Sequence, residues 1–238
     1  MSKLRVLAID TSSVVATVAI MDDEKLIGEY VLNHKQTHSQ KIMPMIEELL
    51  ASSELRIQDI DVFAVASGPG SFTGLRIGAA TMKGLAHAMN KPIIGVSTLD
   101  GLAFNLPYCN YIISPIMDAK NEQVYNALYK WIDDTFYIVE EYRVIPLKQL
   151  IAELKEKNET VMFTGDGVPV YREKLTKELG ELCKFSTLAN GMQRASTIAE
   201  LALQRAKNGQ FDDYMTFKPF YLRKSQAERE YEKKCGRQ

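Results

Sequence analysis

Residues 7–20 read LAIDTSSVVATVAI, and residues 114–129 read SPIMDAKNEQVYNALY. Each stretch is an apolar run ending in an aspartate, Asp10 or Asp118, followed by a short polar turn and a second strand-like run. The recurrence predicts two similar halves, each opening with the same hairpin. Outward from it, residues 25–32 (KLIGEYVL) add a third strand to the first hairpin, giving a β-meander. Residues 135–144 (TFYIVEEYRV) follow the second hairpin in the same way. Residues 61–67 (DVFAVAS) and 92–96 (PIIGV) are short, almost wholly apolar runs, the pattern of strands buried on both faces. Residues 160–167 (TVMFTGDG) supply a strand to the second half.

Between the strands the period changes. Over residues 38–50, Ile42, Met45, Ile46 and Leu49 share one helical face, which Met43 and Leu50 widen, and Pro44 belongs in the first turns or kinks the helix. Residues 73–89 form a long helix in which Gly78, Ala79, Ala80, Gly84 and Ala86 are small, and Ile77, Met82, Leu85 and Met89 are apolar. A helix small or apolar on most sides is buried on most sides. One face covers its own sheet, and the rest needs cover from this chain or a second one. A short helix capped by Ser97 or Thr98 follows residues 92–96, and helices over 147–157 and 196–207 complete the pattern. The expected organisation is a first lobe at 1–105, a smaller second lobe at 106–210 whose last helix packs back on the first, and a basic tail at 211–238.

A chain of 238 residues suits one large domain or two small ones. Its 46% hydrophobic and 25% charged content is that of an ordinary globular protein, and a net charge of −1 favours no class of partner. No apolar run reaches the roughly 20 residues of a membrane span. The start, MSKLRVLAID, enters a strand without an apolar leader, so a cytoplasmic location is expected. Cys109, Cys183 and Cys235 are far apart, without disulfide or zinc spacing.

The glycine-rich stretch 67–78 (SGPGSFTGLRIG) leads into the long helix, with Ser71 or Thr73 able to cap it. Such a helix start favours an anion. The Gly-Lys-Ser/Thr ending of a P-loop is replaced by Thr73-Gly74-Leu75, and the Rossmann spacing does not match. A loop that lets the helix sit close to the sheet explains the glycines equally well. His34 and His38 stand four apart without a third ligand, and His87 is isolated. No nucleophile elbow occurs. Asp10 and Asp118 are the candidate acids; in an actin-like ATPase such positions flank the nucleotide, but here the turns carry no glycine to wrap phosphate.

LAIDTS, HSQKIMPMIEELL, GPGSFTGLRIG, KGLA, PIIGVSTLDGLA, IMDAKNEQVY and KPFYLR occur in this order over nearly the whole chain. Together they resemble the bacterial TsaB family, also called YeaZ. The resemblance implies an α/β, actin/Hsp70-like (ASKHA) duplicated fold of two RNase H-like lobes. It implies a non-catalytic subunit supporting threonylcarbamoyl transfer to the adenosine beside the anticodon of tRNAs that read codons beginning with A. Such a subunit binds and activates TsaD, helps recruit the ATPase TsaE, reaches tRNA through that complex, and forms a homodimer when alone. Neither cofactor, metal nor catalytic residue is expected. The family's partner helices correspond to 38–50 and 73–89, which puts the interface at Met43, Ile46, Leu50, Arg76, Ala79, Ala80, Met82 and Lys83. TsaD-like proteins hold a catalytic metal with His-x-x-x-His after the buried strand; here Thr98 and Leu102 take those positions around Asp100-Gly101, and leucine cannot ligate a metal. The rival readings are an actin-like ATPase using Asp10 and Asp118, a metallopeptidase-like enzyme, and direct tRNA contact by residues 218–237, where seven Lys and Arg face three Glu.

Overall fold

A computed structural model describes residues 3–33 and 38–223. The first sheet contains β1 (Val6–Asp10), β2 (Val15–Met21), β3 (Leu26–Asn33), β4 (Val62–Gly68) and β5 (Ile93–Ser97), in the order β3-β2-β1-β4-β5. The hairpins are antiparallel, while β1, β4 and β5 run parallel. The second sheet contains β6 (Ile112–Asp118), β7 (Gln123–Ile132), β8 (Thr135–Pro146), β9 (Val161–Thr164) and β10 (Cys183–Phe185). From its β8 edge the order is β8-β7-β6-β9-β10, with the same pattern of directions. The repeated hairpin is therefore the start of a repeated lobe. Strand β10, three residues long, is too short for any periodicity to reveal it.

Each sheet is covered on both faces, which is why β1 and β2 are buried throughout and show no alternation. Helices α1 (His38–Ser52) and α2 (Phe72–Met89) cover one face of the first sheet, packing on Leu7, Ile9, Val18, Ile20, Phe63 and Val65. Helices α4 (Leu147–Lys157) and α5 (Val168–Leu179) do the same for the second, on Ile112, Ile116, Val124 and Leu128.

The remaining faces are covered crosswise. Helix α3 (Thr98–Phe104) follows the last strand of the first sheet but lays Leu99, Leu102 and Ala103 on Ile113, Met117 and Tyr129 of the second. Helix α6 (Ala195–Lys207) follows the last strand of the second sheet but lays Ala195, Ala199, Ala202 and Ala206 on Val6, Ala8, Ala64 and Val96 of the first. Small residues let that helix approach the strands closely. The two helices meet at Gly101, where a Cβ would lie 2.7 Å from Ile198 Cδ1. The start of α6 is fixed to the first sheet by buried Glu29, which pairs with Arg194 and accepts the Ser196 N–H at 2.9 Å. A carboxylate at a helix N-terminus is favourably placed against the macrodipole.

Candidate functional site

The glycine-rich loop seats α2 on the β1–β2 turn. The Ser71 N–H donates to the Ser12 carbonyl at 2.6 Å, and the Thr11 hydroxyl donates to the Gly74 carbonyl at 2.8 Å. A Cβ on Gly74 would stand 1.9 Å from the Thr11 carbonyl oxygen, so no side chain is tolerated there. Ser71 caps the helix, accepting from Gly74 N at 3.3 Å. Ser97 occupies the corresponding position of α3 but makes no cap bond. The polar groups that would cradle phosphate are thus partly spent within the chain: Ser12 N donates to Asp10 Oδ1 at 2.8 Å, and the Ser12 carbonyl is taken by the loop.

The interface expected on α1 and α2 divides in two. Ile46, Leu50, Ala79 and Met82 are 1, 8, 5 and 0% exposed and belong inside the first lobe, which corrects their assignment to an outer surface. Helical periodicity marks the apolar face but cannot say which sheet or partner covers it, and here the lobe's own sheet does. Met43, Arg76 and Ala80 are exposed, and Lys83 is half-buried. The outward side of α2 carries Arg76, Ala80, Gly84 and Ala88, four residues apart and all exposed; Met43, Glu47 and Ala51 form the like stripe on α1. A Cβ on Gly84 would meet nothing within 4 Å, so no contact inside the chain accounts for a glycine there.

Asp10 ends β1 and Asp118 ends β6, as equivalent positions of the two lobes, and Asp166 follows β9. Burial pushes the Asp10 carboxyl up to about 6, against hydrogen bonds from Ser12. Burial, then the charges of Asp118 and Asp10, push Asp166 up to about 7. Burial also raises Asp118, but Lys120, which donates from both its ammonium (2.7 Å) and its backbone (2.9 Å), and Tyr171 outweigh it and hold Asp118 below the usual range. Among the described residues no group of three or more His, Cys, Asp or Glu is placed to hold a metal ion. His38 bonds the Ser13 carbonyl through Nε2 at 2.7 Å; His34 lies outside the described residues. Exposed His87 lies against the Tyr214 ring at 5.4 Å.

Thr98 and Leu102 are 0 and 1% exposed. Between them Asp100 turns into the second lobe, accepting from the Tyr129 hydroxyl at 2.7 Å and from the Tyr142 hydroxyl at 2.9 Å. Burial raises its carboxyl above the ordinary value despite both bonds.

A family model described as TsaD, tRNA N6-adenosine threonylcarbamoyltransferase, matches residues 25–231. The "tRNA threonylcarbamoyladenosine biosynthesis protein TsaB" of Bacillus subtilis is 34% identical over 225 residues, covering 94% of this chain and 96% of that protein. The chain belongs to the TsaB (YeaZ) family. The Escherichia coli protein of the same name is 29% identical, with the same coverage of both chains. YeaZ from Pseudomonas aeruginosa superposes with a TM-score of 0.75 at 23% identity, over 92% of this chain and 100% of that one. The fold is shared more widely: (R)-2-hydroxyglutaryl-CoA dehydratase component A of Acidaminococcus fermentans gives a TM-score of 0.51 at 14% identity, over 86% of this chain and 99% of that one. The two lobes are accordingly those of the actin-like α/β fold.

For a TsaB-family chain, the sequence located the two helices correctly and overestimated how much of them faces outward. It missed the segment after α6. Residues 211–223 lie along α2 and reach the second lobe, held by long-range contacts between aromatic rings and backbone groups that leave no periodic trace. Of the basic stretch 218–237, the part after Arg223 lies outside the described residues. No helix among the described residues is long and apolar enough to cross a membrane.

Proposed function

We propose that this chain is a non-catalytic scaffold in tRNA threonylcarbamoyladenosine biosynthesis, binding TsaD through the outward stripe of α1 and α2. Its TsaB-named relatives support the pathway. The observation that carries the surface is Gly84: an exposed helix-interior glycine costs about 1 kcal/mol relative to alanine, yet it has open space before it. With Ala80 and Ala88 on the same stripe, it lets another helix approach to backbone distance. Exposed Met43 on α1 supplies an adaptable apolar contact, and Arg76 a charge at one end of the α2 stripe. The same stripe serves self-association when TsaD is lacking, and TsaE joins the assembled pair. The subunit acts by holding TsaD in its active arrangement within the cytoplasm, with tRNA reached through the complex.

The ATPase reading is less well supported. Asp118 is engaged by Lys120, and the β1–β2 turn is bonded to its own neighbouring loop. The decisive experiment is size measurement of mixtures with TsaD, alongside reconstituted tRNA modification. Ala80→Arg, at an exposed position, should abolish both complex formation and stimulation of modification while leaving the chain folded. Unchanged complex formation would place the interface elsewhere. ATP binding by the isolated chain in calorimetry would favour the ATPase reading.

A further inference from the structure

The segment after α6 crosses from one lobe to the other along the flank of α2. It begins on the first sheet, where Asp212 N donates to the Ile93 carbonyl and Gly95 N donates to Asp212 Oδ2, both at 2.8 Å. Phe217, half-buried, then packs against the first core, its ring lying where a side chain at residue 95 would be: a Cβ on Gly95 would stand 2.4 Å from Phe217 Cε2. A glycine within a strand costs stability and often marks a close approach; this one is explained by the ring. Three contacts then run along α2. Lys83 Nζ donates to the carbonyls of Phe217 at 3.0 Å and Met215 at 3.4 Å; Tyr221 stacks on Phe72 at 4.5 Å with the rings 2° apart; and Arg76 Nε donates to the Tyr221 hydroxyl at 3.4 Å.

The crossing itself is abrupt. Phe220 N donates to the Ser67 carbonyl of the first sheet at 2.7 Å, while its ring meets Tyr142 of the second lobe at 6.1 Å. Leu222 packs against the cluster that α3 forms with the second sheet, and the Arg223 guanidinium donates to the Ala119 carbonyl of the second lobe. Tyr142 is also a partner of Asp100 on α3, so the segment joins the half-buried link between the lobes.

We propose that residues 211–223 are a strap that fixes the two lobes to each other and holds the N-terminal half of α2 in its partner-competent position. Interlobe closure and presentation of the α2 face are then one coupled state. The second half of this inference rests on α2 being the partner surface; the first half does not.

The test is Gly95→Val, which evicts Phe217 from its seat while giving strand β5 a residue that strands favour. Hydrogen exchange on the isolated chain should quicken about tenfold, both in residues 72–80 and in the β6–β7 turn at 118–122, with α1 unchanged as the internal control. Association with TsaD should weaken by a similar factor. Phe217→Ala removes the anchor without inserting bulk and should reproduce both effects should the valine variant fail to fold. Unchanged exchange in either region overturns the strap. Quickened exchange with unchanged TsaD affinity overturns the coupling. If the unsubstituted chain does not bind TsaD at all, the α2 reading fails, and the exchange result still decides the strap.

Discussion

Replacing Gly84 by alanine separates what α2 does for its own lobe from what it does for a partner. In a helix interior glycine is about 1 kcal/mol less favourable than alanine. The new methyl would meet nothing within 4 Å, so none of that gain is lost to crowding. For a chain of 238 residues, ~1 kcal/mol raises Tm by roughly 2–4 °C. At a close helix–helix contact the same methyl acts in the opposite sense, because an added methyl or methylene in a well-packed contact costs about 1–3 kcal/mol. That is a loss of roughly 5- to 150-fold in affinity. Scanning calorimetry at concentrations where sedimentation shows a monomer reads the first effect, since a dimer would make Tm depend on concentration. Titration calorimetry with TsaD reads the second. A lowered Tm would refute the account of Gly84 as an unforced helical glycine. A raised Tm with undiminished affinity would remove it from the interface.

Further outcomes concern the interior. Asp166 has a folded pKa of about 7, raised by burial and by neighbouring carboxylates. The folded state therefore binds the proton more readily than the unfolded one, and stability falls as pH rises from the ordinary carboxylate value to about 7. Asp166→Asn should remove that loss, so its advantage in chemical denaturation should widen by at least ~1.4 kcal/mol between pH 5 and pH 8; a constant difference would refute it. Asp100→Ala leaves the wholly buried Tyr129 hydroxyl without its acceptor. An orphaned buried donor costs about 1–3 kcal/mol, so Tm should drop by several degrees, with Asp100→Asn recovering part of it because the amide oxygen still accepts.

The repeated hairpin, the buried strands, the long helices and the aspartates at equivalent strand ends were legible because each is a local pattern. Period two or 3.6, an apolar run and its terminal residue are all written in consecutive positions. The division of α1 and α2 into inward and outward residues was not legible. Met82 and Ala80 are both small enough or apolar enough to face a core, and only the position of the sheet buries the first and exposes the second. Nor could a sequence pattern show that Gly74 is glycine for the Thr11 carbonyl and Gly95 for the Phe217 ring, whereas Gly84 has nothing in front of it. The same residue type answers three different neighbours, and neighbours far apart in the chain are brought together only when the strands, the crossing helices and the last segment close around one another.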